Sequence, residues 1–190
     1  FFSSTNNMAA ILTHAIAAET LGVAVFGTKQ PRIFWIVTAF LGMLPDADVL
    51  TFKFGVRYAD MLGHRGFFHS FFWCLCVGWI VSVGYKYWKK QSIPLAGYAL
   101  FFAAAMATHP LLDACTTGGL GVALFSPFDT TRYFFPWQVI AVSPIGIKQF
   151  FGEWGLRVLA SECMWVWLPC AVIFIIARLS RTRTTNVGGV

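Results

Sequence analysis

Five apolar stretches dominate this chain of 190 residues. Most approach the ~20 residues with which a helix crosses the hydrocarbon core of a bilayer. They run from Met8 to Phe26, Ile33 to Leu44, Phe67 to Tyr85, Ile93 to Ala114 and Leu156 to Ala177. The second is short and stops at Pro45. Basic turns join the first to the second (Lys29, Pro31, Arg32) and the third to the fourth (Lys86, Lys89, Lys90). Backbone in lipid must satisfy its own hydrogen bonds, so runs of this kind fold as helices. The expected fold is all-α: a polytopic integral membrane bundle of about five helices, one domain over residues 8–179. Residues 1–7 read as an N-terminal extension or cloning remnant, and residues 180–190 as a polar tail.

Composition separates this reading from its rivals. Hydrophobic residues make up 57% of the chain and charged residues 12%, about half the charged share of a soluble domain. That excludes a disordered chain, a rod and an ordinary cytosolic enzyme. The net charge of +6 is gathered at the ends of the apolar runs. Anionic headgroups meet it there, and no nucleic acid is expected. The five Cys form no CxxC pair and read as small buried hydrophobes.

Alternating the helices puts Lys29, Arg32, Lys86, Lys89, Lys90, Arg178, Arg181 and Arg183 on one side, without an acid. The other side carries Lys53, Arg57, Arg65, Arg132, Lys148 and Arg157. The more basic side is expected to be cytoplasmic. The two longer connections, Asp46 to Gly66 and Cys115 to Gly155, fall on the opposite face. The second is rich in Gly, Pro and aromatics, and a loop of that length usually covers a site or re-enters the interface.

That face also holds every His of the chain, His14, His64, His69 and His109, together with Asp46, Asp48 and Asp113. Ionisable groups at membrane depth are costly and imply function. His109 and Asp113 are four apart near the end of a helix, hence on one face of it; a metal-ligand pair and a helix-capping hydrogen bond fit equally. In Leu44-Pro45-Asp46-Ala47-Asp48 the proline interrupts the helix, and two carboxylates so close repel unless a cation lies between them. Gly63-His64-Arg65-Gly66-Phe67-Phe68-His69-Ser70 sets two His five apart around a turn, with an Arg suited to clamping a phosphate or carboxylate, or to snorkelling to headgroups. His14 stands alone on its helix. Glu19 and Glu162 read as partners for bases such as Arg157.

These motifs, in this order from about residue 13 to 132, resemble the bacterial membrane-bound metal-dependent hydrolases of the YdjM type. The matching pieces are Thr13-His14, Leu44-Pro45-Asp46-Ala47-Asp48, the His64–Ser70 motif, His109-Pro110-Leu111-Leu112-Asp113 with Thr116-Thr117-Gly118, and Ser126-Pro127-Phe128 with Arg132. Val49 and Phe68 depart from the pattern, where members often carry His and Thr. The resemblance implies a hydrolase distantly similar to zinc-dependent phospholipase C and P1-type nucleases, in a bacterial inner membrane.

Seven ligands, His14, Asp46, Asp48, His64, His69, His109 and Asp113, suit Zn²⁺, with Mn²⁺ or Fe as second choices. They exceed one tetrahedral site, so two or more ions are expected. The expected reaction is hydrolysis of a phosphoester in a lipid or lipid-linked anionic substrate, on the extracytoplasmic side. Asp48 or Asp113 would handle the water proton, and Arg65 and Arg132 would hold the phosphate. Tyr133, Phe134, Phe135 and Trp137 would admit an acyl or prenyl chain or anchor the interface. A metal transporter or sensor, and a structural membrane protein, are the alternatives.

Overall fold

The computed structural model describes residues 8–90, 93–142 and 152–187. The expected extension over residues 1–7, the loop base Lys148 and the last three residues of the tail lie outside the described residues. Among the described residues the fold is helical, with two isolated β-bridges and no strand. Helices α1 (Met8–Phe26) and α2 (Arg32–Met43) are followed by a 3₁₀ segment, Leu44–Phe54. Next come α3 (Phe71–Lys89) and α4 (Leu95–Ala114). The last span is α5 (Glu153–Glu162), which runs through a π-turn (Cys163–Trp167) into α6 (Leu168–Val187).

Among the described residues, three helical stretches are long and apolar enough to cross a membrane: Arg32–Phe54, Leu95–Ala114 and Glu153–Ser180. A shorter apolar stretch, Ile11–Phe26, lies in α1. The chain is thus an all-α membrane protein, as expected. Several boundaries moved: α3 runs over Phe71–Lys89, where the expected stretch was Phe67–Tyr85. Pro45 does not end the helical course, because it occupies the first turn of the 3₁₀ segment, where its missing N–H is not needed. The last helix continues through the polar residues to Val187, since no Gly or Pro intervenes between Ser180 and Gly188.

The bundle closes at one end on aromatic side chains. Phe34 stacks on Phe101 at 5.2 Å between centroids, Phe26 on Tyr98 at 5.1 Å and Tyr85 on Tyr98 at 5.4 Å. This apolar plug fixes α1 to α4 against one another and leaves polar residues at the opposite end. There α1 and α2 approach closely at Gly42. A Cβ on Gly42 would meet the His14 carbonyl oxygen at 2.7 Å and the Ala18 methyl at 2.9 Å, so the crossing needs glycine.

The long connection after α4 is ordered over its described part. Thr116 bridges to Ile140 and Val122 to Tyr133. Phe71 N–H, at the start of α3, donates to Leu124 O at 2.9 Å. Val122 and Leu124 pack with Ala114 against Phe71, Tyr133 and Phe135. The segment lies as a cap over the polar end of the bundle.

Candidate metal centre

Each ligand arrives by a separate piece of local structure. His14 lies near the start of α1. Asp46 and Asp48 sit on the 3₁₀ segment that prolongs α2. His69 ends a one-turn 3₁₀ helix (Phe67–His69) just before α3, which Ser70 caps by accepting the Trp73 N–H at 3.1 Å. His109 and Asp113 share one face of α4, with His109 Nε2 3.6 Å from Asp113 Oδ2.

Four groups converge at one point. His109 Nε2 lies 3.3 Å from Asp46 Oδ1, and His69 Nε2 lies 3.4 Å from Asp113 Oδ2 and 3.9 Å from Asp46 Oδ1. One ligand atom each from Asp46, His69, His109 and Asp113 falls within 4.8 Å of the other three. His69 Nε2, His109 Nε2 and Asp113 Oδ2 are buried without a hydrogen-bond partner. Buried polar atoms without partners cost about 1–3 kcal/mol each, and a cation between them removes that cost. The donor set, two imidazoles and two carboxylates, fits a divalent transition metal. The outer nitrogen of His109 is already assigned: Nδ1 donates to Gly42 O at 2.7 Å, which leaves Nε2 as the ligand atom. The glycine at the α1–α2 crossing therefore also orients a ligand.

A second group, Asp48, His64 and His69, lies beside the first and shares His69 with it. A neutral imidazole has one lone pair, so His69 serves one ion at a time. Asp48 stands behind two imidazoles. Its Oδ1 is 2.8 Å from His64 Nδ1, and its Oδ2 is 3.1 Å from His69 Nδ1, off the hydrogen-bond direction. Asp48 Oδ2 also accepts the Arg65 backbone N–H at 3.1 Å. Asp46 and Asp48 do not share one ion as neighbours. On a 3₁₀ course, residues two apart point about 120° away from each other, and the His69 ring lies between the two carboxylates. His14 belongs to neither group. It stacks on His109 with centroids 3.6 Å apart, and its Nε2 is 3.7 Å from Asp113 Oδ1.

The two arginines are engaged by the protein itself. Arg65, buried and at φ +61°, donates through one terminal nitrogen to Thr116 Oγ1 (3.0 Å) and Gly118 O (2.9 Å). Its other terminal nitrogen donates to Asp113 Oδ1 (3.2 Å). Its left-handed backbone is held by Asp48 on the N–H and by the Ala123 N–H on the carbonyl. Arg132, expected to hold substrate, donates instead to the carbonyls of His64, Gly121, Tyr58 and Asp60. It lies over the Tyr58 ring at 5.7 Å, and clasps the Asp46–Gly66 loop to the cap.

A cavity of about 240 Å³ opens on this cluster. His14, Asp46, His64, Arg65 and Asp113 line it, while Leu112, Ile140, Ala141 and Val142 form an apolar wall. Asp48 and His69 lie behind its surface. Tyr133, Phe134, Phe135 and Trp137 are not on its wall; Tyr133 and Phe135 pack into the cap, and Trp137 is exposed. Two ionisable residues that the sequence did not single out for the site also line it, Tyr58 and Glu162. Burial raises the Tyr58 phenol above its usual pKa, against the opposing charge of Arg65. Glu162 carried a signal, an acid within an apolar helix, but no base pairs with it among the described residues.

Gly119 lines the cavity at φ +87°, and a Cβ there would stand 2.9 Å from Tyr58 Oη and 3.0 Å from Arg65 Nη1. Gly119→Ala is expected to lower stability by about 1–3 kcal/mol through backbone strain and to push Arg65 off Asp113. Thermal unfolding in detergent, with and without added metal, measures the effect; an unchanged midpoint would show that the loop yields freely.

The profile of the YdjM inner membrane protein family matches residues 8–185. Inner membrane protein YbcI of Escherichia coli (strain K12) is 39% identical over 163 residues, which cover 85% of this chain and 92% of that protein. No solved structure gives a significant match.

Proposed function

The chain belongs to the YdjM inner membrane protein family, and from that premise we propose that it is a metal-dependent hydrolase of the inner membrane, cleaving a phosphoester in a lipid or lipid-linked substrate. The observation that carries the reading is the convergence of His69 Nε2, His109 Nε2 and Asp113 Oδ2, buried and without partners, on the carboxylate of Asp46 beside a cavity. Packing alone does not require three such atoms in one place.

Asp46, His69, His109 and Asp113 hold one divalent ion, for which Zn²⁺ is our first choice and Mn²⁺ or Fe²⁺ the second. When bound, such an ion withdraws charge from a phosphoryl oxygen and brings the pKa of water down to about 7. The protein supplies orientation and proton handling. Asp48 fixes His64 through Nδ1, so Nε2 is the atom of His64 that accepts a proton from water in the cavity. Arg65 holds Asp113 Oδ1, which leaves Oδ2 facing His69 and His109, where it would serve as a ligand. Leu112, Ile140, Ala141 and Val142 exclude bulk water from one side. The family's membrane setting and the position of the cavity at one end of the bundle favour a substrate that is itself held in the bilayer.

The test is metal analysis of the detergent-purified protein, followed by hydrolysis assays on phospholipids and prenyl phosphates before and after chelation. We expect about one ion per chain, loss of hydrolysis on chelation and its return with Zn²⁺ or Mn²⁺. Full metal loading with no turnover of any phosphoester would overturn the hydrolase reading. Metal-dependent uptake into vesicles would then favour transport.

A further inference from the structure

The mechanism above leaves one buried acid of the cavity unused. Glu162 is 3% exposed, yet it lines the same cavity as His14, Asp113 and Arg65. It belongs to neither metal group among the described residues. One hydrogen bond reaches its carboxylate there, from Thr13 Oγ1 to Oε2 at 2.8 Å. An ionised carboxylate only accepts, so Thr13 Oγ1, which itself accepts the Trp167 indole N–H at 2.8 Å, gives its single proton to Glu162.

The π-turn makes this arrangement. On an α-helix, residues five apart lie about 140° from each other around the axis, so Glu162 and Trp167 could not both reach Thr13. The Leu168 N–H bonds back to Cys163 O across five residues, and the wider turn carries both side chains to α1. A widened turn in a membrane helix thus holds one acid at the cavity.

An ionised carboxylate accepts about four hydrogen bonds, and at membrane depth an acid without partners is costly. Glu162 also repels any phosphate oxygen brought near it, so a phosphoester lies with its phosphate toward the metal ligands. The group at the Glu162 end must then be a hydrogen-bond donor.

We propose that Glu162 is the specificity-determining acceptor of the cavity, taking an O–H or N–H of the substrate's polar head beside its phosphate. The substrate class is an amphiphilic phosphodiester with a hydroxyl- or ammonium-bearing head. This rests on the phosphoester reading of the site.

Three short-chain lipids with identical tails test it: dioctanoyl phosphatidylethanolamine, phosphatidylglycerol and phosphatidylmethanol. The first two carry head-group donors and the third carries none. With metal-loaded wild type in detergent, the first two should raise the unfolding temperature more than the third, which offers the phosphate and tails but no head-group donor. Where hydrolysis is measured, Glu162→Gln should lower kcat/KM for the first two relative to phosphatidylmethanol by about 10–100-fold, the scale of one hydrogen bond to a charged group. Glu162→Asp should recover part of the discrimination. Metal content should stay at the wild-type level in both variants, which separates folding from recognition. Equal shifts from all three lipids, no shift from any, or wild-type discrimination in Glu162→Gln would overturn the proposal. Discrimination in binding without turnover of any lipid would sink the hydrolase reading and leave Glu162's role standing.

Discussion

Asp113→Ala is expected to lose more than about 100-fold in metal affinity and all measurable hydrolysis, while still inserting into the membrane. The residue supplies one of four converging ligand atoms, and its other oxygen receives Arg65. Apolar run length drives insertion independently of the site. Asp48→Asn is the graded comparison. Asp48 stands behind His64 and His69 and is not on the cavity wall, and carboxylates that orient a ligand typically cost 10–100-fold in affinity or activity when removed, roughly. Equilibrium dialysis against buffered Zn²⁺ gives both numbers. If Asp48→Asn lost as much as Asp113→Ala, Asp48 would be a ligand itself and a second ion would have to be placed on the His64 side. If Asp113→Ala kept full occupancy, the assignment of the site would fail.

Arg65→Met should destabilise the metal-free protein by about 3–5 kcal/mol, the cost of leaving a buried carboxylate without its partner. Arg65 is 5% exposed, and its three donor contacts all go to protein. Bound metal neutralises the same carboxylate, so the loss should be smaller in the loaded protein. Arg65→Lys keeps the charge but not the fork that joins Asp113 to Thr116 and Gly118, and should fall between. Unfolding midpoints with and without metal read this directly. An arginine whose task was to grip phosphate would behave differently: stability would be nearly unchanged in both states and kcat/KM would fall.

The His/Asp cluster was legible in the primary structure because its spacings are local. His109 and Asp113 sit one helical turn apart, and the His64–His69 and Asp46–Asp48 pairs bracket turns. What local spacing does not carry is the direction in which each side chain faces. Asp48 and Asp46 look equivalent along the chain, yet the 3₁₀ course turns them to opposite sides of His69. Arg65 and Arg132 look like free cations, yet their donors go to carbonyls and side chains from 11 to 74 residues away.

Glu162 is the clearest case. Its recruitment depends on Thr13, 149 residues distant, and on a π-turn that has no signature in Cys163-Met164-Trp165-Val166-Trp167. Apolar runs of bilayer length dictate helices, their number and the membrane setting, because an unpaired backbone group in hydrocarbon costs several kcal/mol wherever it lies. The identities of the possible ligands follow from the same reading, since ionisable residues are few there. Which of those residues meet, which one backs another and which acid faces the cavity follow from helix crossings at Gly42, the cap laid over α3 and α4, and one widened helical turn. Those are contacts between distant segments, and they exist only once the chain has packed.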